Sequence, residues 1–240
     1  MRNRFHLKLS CCMITIEINL EEESLMGMPK AVLFDLDGVI VDTAKHHYIA
    51  WRALARELGF EFTEQDNERL KGVSRMDSLN ILLEVGGLTL PEDKKQQLAT
   101  QKNEQYVKAI KQMDASEILP GVTDFLKALK EAGIPFALGS ASKNAPIILN
   151  QIGLYDAFDA IVDGNVIEKA KPDPEVFLKG AELLGVDPQD CVVFEDAQAG
   201  IEAGKNAGMY VVGVGDPEVL TGADDYVRDL SEMTIERLKH

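Results

Sequence analysis

The stretch Lys30–Thr43, KAVLFDLDGVIVDT, decides the fold. Its apolar letters Ala31 to Phe34 are continuous rather than alternating, which is the pattern of a strand buried on both faces of a sheet. The run then stops at Asp35 and Asp37, one residue apart, followed by Gly38 and a third acid at Asp42. One aspartate at a strand end is ordinarily a turn cap. The same design returns elsewhere, however: PFALGS ends at Ser140 and CVVFED ends at Glu195 and Asp196, while a further run, MYVVGVG, ends in glycines.

Helical patterns separate these runs. GVTDFLKALKEAG carries Phe125, Leu126 and Leu129 on one side and stops at Gly133, PDPEVFLKGAELLG opens on prolines, and AQAGIEAGKNAG follows the last pair of acids. Strands alternating with helices of this length predict βαβ units, and so an α/β fold with a Rossmann-like parallel sheet. Ligands of such sheets bind beyond the carboxyl ends of the strands, where Asp35, Asp37, Ser140, Glu195 and Asp196 are expected to gather. Residues 44–111 read differently, as helices without strands, and predict an all-helical cap inserted above the first strand's carboxyl end. The expected organisation is a core of 28–43 and 112–240, a cap of 44–111, and an N-terminal extension of 1–27 outside the fold.

Composition narrows the function. No apolar segment reaches the roughly 18 to 20 residues of a membrane span, and even CCMITIEINL is broken by Glu17 and Asn19. The basic start followed by an apolar patch lacks a small-residue cleavage site and runs into Glu21, Glu22 and Glu23, which argues against a signal peptide. Three cysteines, at 11, 12 and 191, form neither a disulfide framework nor a metal-ligand spacing, so a reducing cytoplasm is expected. A formal charge of −15 without a Lys/Arg run argues against nucleic-acid backbone binding. The expected partner is a small phosphate held locally by a metal or a few cations, and the expected state is a monomer.

The acids define the chemistry. Alternation along a strand aims Asp35 and Asp37 the same way, and with Asp196 they make a carboxylate cluster that needs a cation; hard oxygen ligands suit Mg²⁺. An aspartate can also be a nucleophile toward phosphorus, with a second carboxyl two residues on as general acid and base. Phosphoryl transfer needs donors for the equatorial oxygens, a requirement that Ser140 and Lys171 of KAKPDPEVF meet. Thr43, His47 and Trp51 recur every four residues, on one helical face starting just beyond the acids.

The set DLDGV, GSASK, KPDP and FEDAQAGIEAG, in this order, resembles the haloacid dehalogenase superfamily, and the cap phrase KGVSRMDS narrows the resemblance to its β-phosphoglucomutases. The resemblance implies Asp35 as nucleophile and Asp37 as general acid and base. It implies Ser140, Ala141 and Lys171 around the transferring phosphate, and Asp35, Asp37, Glu195 and Asp196 around Mg²⁺. A second phosphate falls to Gly72 and Arg75 of the cap and to Ser142, Lys143 and Asn144. Thr43, His47 and Lys102 are implied to tie cap closure to Asp37, whereas Trp51 is expected to pack between cap helices or at most to wall the site.

The implied reaction interconverts β-D-glucose 1-phosphate and glucose 6-phosphate through an aspartyl-phosphate and glucose 1,6-bisphosphate. A sugar-phosphate or phosphoglycolate phosphatase of the same superfamily would use the same core acids and is the alternative. A receiver-like signalling domain fits poorly, since it carries no long helical insertion after its first strand.

Overall fold

The computed structural model describes residues 27–70 and 73–239. The expected N-terminal extension and Gly72 therefore lie outside the described residues, apart from Gly27.

Six parallel strands form one sheet: β1 (Ala31–Phe34), β2 (Phe136–Gly139), β3 (Ala160–Val162), β4 (Cys191–Glu195), β5 (Tyr210–Val214) and β6 (Asp225–Val227), in the order β3-β2-β1-β4-β5-β6. The strand order reverses between β1 and β4, and the crevice at such a switch point is where doubly wound folds take their ligands. Register fixes what meets there. Phe34 pairs with Phe194 and with Leu138, so Asp35 comes level with Glu195 on one side and with Gly139, just before Ser140, on the other.

Both faces of the sheet are covered, as the unbroken apolar runs require. On one face α5 (Val122–Ala132) and α6 (Ala145–Ile152) pack Phe125, Leu129, Ile148 and Leu149 onto Val32, Phe34 and Leu138. On the other, α7 (Glu175–Leu184) and α8 (Gln198–Asn206) pack Val176, Phe177, Ile201 and Ala203 onto Leu33 and Val193. Phe34 stacks on Phe194 at 5.1 Å and meets Phe125 edge-on at 6.1 Å, directly behind Asp35. The strand end that carries the acid thus rests on a close-packed aromatic floor.

Between β1 and α5 lie the helices α1 (Ala44–Glu57), α2 (Glu64–Glu68), α3 (Arg75–Val85) and α4 (Glu92–Ile110). They bury their own apolar cluster, with Trp51, Leu54, Phe62, Leu79, Leu82 and Leu98 at its centre. Thr63 and Asp66 cap α2 reciprocally, and the Ser74 hydroxyl accepts from the Asp77 N–H to start α3. No helix among the described residues is long and apolar enough to cross a membrane.

Candidate active site

Beyond β1 the chain turns at once. Gly38 adopts φ +83°, and a Cβ there would fall 2.1 Å from Asp196 Oδ2, so only glycine permits the loop to lie against β4's acids. The strand alternation that would aim Asp35 and Asp37 alike therefore ends at Phe34. Asp35, Glu195 and Asp196 bring carboxylate oxygens within 4.8 Å of one another, whereas Asp37 stands outside this trio. Asp37, expected beside them around the metal, is not among the three clustered carboxylates. Three hard oxygen donors are a set for a small divalent cation such as Mg²⁺.

Lys171, fully buried in its side chain, donates to Asp35 Oδ1 and to Glu195 Oε1, each at 2.5 Å, and lies 4.8 Å over the Phe177 ring. Burial works against its charge, but the two carboxylates outweigh it and raise the pKa. Glu195 Oε2 accepts from the Ala197 N–H at 2.9 Å. Burial is the main influence raising Glu195, with Lys171 pulling the other way and Asp35 adding to the rise. Gly200 of α8 lets the helix approach, since a Cβ there would sit 1.8 Å from Glu195 Oε1.

The anion side of the cleft is built from β2's end. Ser140 is buried, its N–H bonds Val162 O at 2.9 Å, and its hydroxyl accepts from the Ser142 N–H at 3.1 Å. Ala141, Ser142, Lys143 and Asn144 line the same cleft. Gly164, after β3, packs under this loop so closely that a Cβ would meet Ala141 O at 2.3 Å. The loop's N–H groups and the exposed Lys143 make a surface suited to an anion.

The helical segment closes the cleft from above. Its residues His47, Trp51, Arg75 and Lys102 join Thr43, Asp35, Asp37, Ser140 and Asp196 around a cavity of about 530 Å³. Lys102 is 2% exposed and lies 2.9 Å from His47 Nδ1, 4.3 Å over the Trp51 ring and 4.7 Å over the Tyr106 ring. Burial, then Arg75, lowers Lys102 to about 7, with Asp37 resisting. Burial, then Lys102, drives His47 well below the ordinary imidazole range, and its Nδ1 shares a hydrogen bond with Lys102 Nζ. Asp37 is pushed up to about 7 by burial and by Asp35, and its Oδ1 has no hydrogen-bond partner among the described residues. Trp51, 2% exposed and within the helices' apolar cluster, packs there and also lines the cavity. Thr43 precedes α1 as its N-cap residue without a side-chain capping bond, its hydroxyl buried.

Arg75 is half-buried at the start of α3, makes no ion pair with a described residue, and is lowered by burial. A guanidinium so placed wants an anion. Sequence reasoning missed Asn103, whose Oδ1 accepts from Asn144 Nδ2 at 2.9 Å, and Tyr106, whose ring lies 4.0 Å from that of His47. A signal existed: Ala99, Lys102 and Tyr106 fall on one face of α4, and a lysine on a buried stripe asks for a partner.

A profile of haloacid dehalogenase-like hydrolases matches residues 29–208. A β-phosphoglucomutase of Bacillus subtilis is 46% identical over 211 residues, 87% of this chain and 93% of that protein. A phosphorylated carbohydrates phosphatase of Thermotoga maritima is 33% identical over 183 residues, 75% of this chain and 82% of that protein. The crystal structure of a β-phosphoglucomutase from Clostridium difficile superposes with a TM-score of 0.84 at 44% identity, covering 88% of this chain and 96% of that one.

Proposed function

The chain belongs to the haloacid dehalogenase-like hydrolase family, and on that premise we propose that it catalyses the reaction for which its Bacillus relative is named. It interconverts β-D-glucose 1-phosphate and glucose 6-phosphate, acting as a cytoplasmic monomer whose core spans 28–43 and 112–240 and whose cap spans 44–111.

Asp35 is the nucleophile and carries the phosphoryl group between half-reactions. In the first, the C6 hydroxyl of β-glucose 1-phosphate attacks phosphorylated Asp35 while Asp37 takes the hydroxyl proton. The resulting glucose 1,6-bisphosphate rebinds with its ends exchanged. Asp35 then takes the C1 phosphoryl group, Asp37 returns the proton to the C1 oxygen, and glucose 6-phosphate leaves with Asp35 phosphorylated again. Ser140, the Ala141 N–H and Lys171 hold the transferring group. Arg75, Ser142, Lys143 and Asn144, with Gly72, hold the other phosphate. When bound among Asp35, Glu195 and Asp196, Mg²⁺ neutralises the charge that collects there during transfer. His47, Lys102 and Thr43 seat Asp37 against the helical segment, so the acid is positioned only when the lid is shut.

The observation that carries this reading is that one cleft takes polar groups from both the strand ends and the helices above. Ser140 and Lys143 come from the loop after β2 and Arg75 from the start of α3, while Lys171 pairs with Asp35. A phosphatase needs the first grip alone; a mutase needs both, because the second phosphate draws the lid closed and keeps water from the aspartyl-phosphate. The test incubates the protein with Mg²⁺, β-glucose 1-phosphate and a trace of glucose 1,6-bisphosphate, and follows glucose 6-phosphate and inorganic phosphate together. Fast glucose 6-phosphate with little inorganic phosphate is expected. Dominant release of inorganic phosphate from many sugar phosphates overturns the reading in favour of the phosphatase.

A further inference from the structure

Asn67 has no role in the chemistry above, yet it lines the same cleft. It lies on α2, held by a backbone N–H bond to Thr63 O at 3.1 Å within the Thr63–Asp66 capping box. The residue is 8% exposed. The Oδ1 is buried without a hydrogen-bond donor among the described residues. Buried amides are nearly always paired, and one left open beside a binding cleft calls for a ligand.

The chemistry of that ligand follows from the group. A carboxamide oxygen repels a phosphate dianion, and the anion-binding work of the cleft is already covered by Arg75, Lys143 and Lys171. What fits is a neutral hydroxyl, which donates to Oδ1 and accepts from Nδ2; a half-turn of the amide exchanges the two without moving the helix. Neighbouring Leu70 and Met76 give the cleft wall the apolar character that suits the face of a pyranose ring. We propose that Asn67 is a specificity-determining residue that hydrogen-bonds one ring hydroxyl of the hexose. The proposal rests on the sugar-phosphate reading of the site and adds to it the group that reads the sugar rather than its phosphates.

The test compares wild type with Asn67→Leu, which matches the shape without the polar atoms, and Asn67→Asp, which keeps an acceptor. Measured are kcat/KM on β-glucose 1-phosphate and on its 2-, 3- and 4-deoxy analogues, phosphorylation of Asp35 by acetyl phosphate, and Tm. Asn67→Leu is expected to lose about 10- to 100-fold on the parent sugar, the range of one hydrogen bond to a hydroxyl. It loses nothing further on the one deoxy analogue that lacks the hydroxyl it reads. Acetyl phosphate, which has no ring, reacts unchanged, and Tm holds or rises because an unpaired amide has been removed. Asn67→Asp falls between wild type and Asn67→Leu.

An unchanged kcat/KM in Asn67→Leu overturns the proposal. So does an equal loss on every deoxy analogue; if acetyl phosphate and Tm fall as well, Asn67 merely supports the neighbouring loop. Should wild type release inorganic phosphate instead of isomerising, the mutase reading fails on its own. The same panel, scored as hydrolysis, then still decides Asn67.

Discussion

At the scale of single residues, the site turns on charges that cannot be buried alone. Lys171 is shared between Asp35 and Glu195, and removing one member of such a buried set leaves the others uncompensated. Lys171→Met is expected to cost about 3 to 5 kcal/mol in urea unfolding, and adding Glu195→Gln recovers part of that loss. If the single variant keeps wild-type stability, the buried network is not what holds these strand ends. Asp37 has a different job, and Asp37→Asn should lower kcat by about 10²- to 10⁴-fold in steady-state assays while substrate KM changes little. Equal effects on kcat and 1/KM would point to a binding role instead. Asp37 was legible in the sequence as an acid just past a strand end, and Lys171 as a lysine of a proline-stiffened turn to which the family resemblance gave a role. Which three carboxylates cluster was not, since that depends on how the end of β1 meets the end of β4 rather than on strand alternation.

At the scale of elements, one glycine shows tertiary contact overruling local preference. Gly200 sits inside α8, where alanine ordinarily gains about 1 kcal/mol. Here its Cβ would stand 1.8 Å from Glu195 Oε1. Gly200→Ala is therefore expected to destabilise the protein by about 1 kcal/mol or more in thermal unfolding, and to weaken Mg²⁺ binding in calorimetric titration. A stabilised variant would show that α8 shifts freely away from β4. The four buried runs of the sequence became β1, β2, β4 and β5. The edge strands β3 and β6 escaped notice because each is three residues long and only partly buried, which leaves too little apolar pattern to read. The helices α1 to α4 were legible as helices. Their meeting with the strand ends, through Lys102, His47 and the Asn103–Asn144 bond, is a matter of tertiary placement that periodicity does not encode.

At the scale of the whole molecule, the lid carries a buried ammonium at a cost in stability. Lys102 titrates near pH 7 in the fold against 10.5 as a free side chain, first because it is buried. Between those values the unfolded chain binds more protons, so this group makes stability rise with pH, by at most about 1.4 kcal/mol per unit. Relative to Lys102→Met, wild type should thus be least stable at pH 7 and close the gap toward pH 10 in metal-free thermal unfolding. A pH-independent gap would mean that the ammonium is solvated. The central claim is that one aspartate passes its phosphoryl group to sugar and not to water, and a pulse and chase tests it most directly. The protein is labelled with radioactive glucose 1,6-bisphosphate, the labelled peptide is identified by mass, and the phosphoenzyme is chased with unlabelled β-glucose 1-phosphate. The account predicts label on Asp35, none on Asp35→Asn, and a chase of label into hexose phosphates. Label on another residue, or a chase into inorganic phosphate, contradicts it.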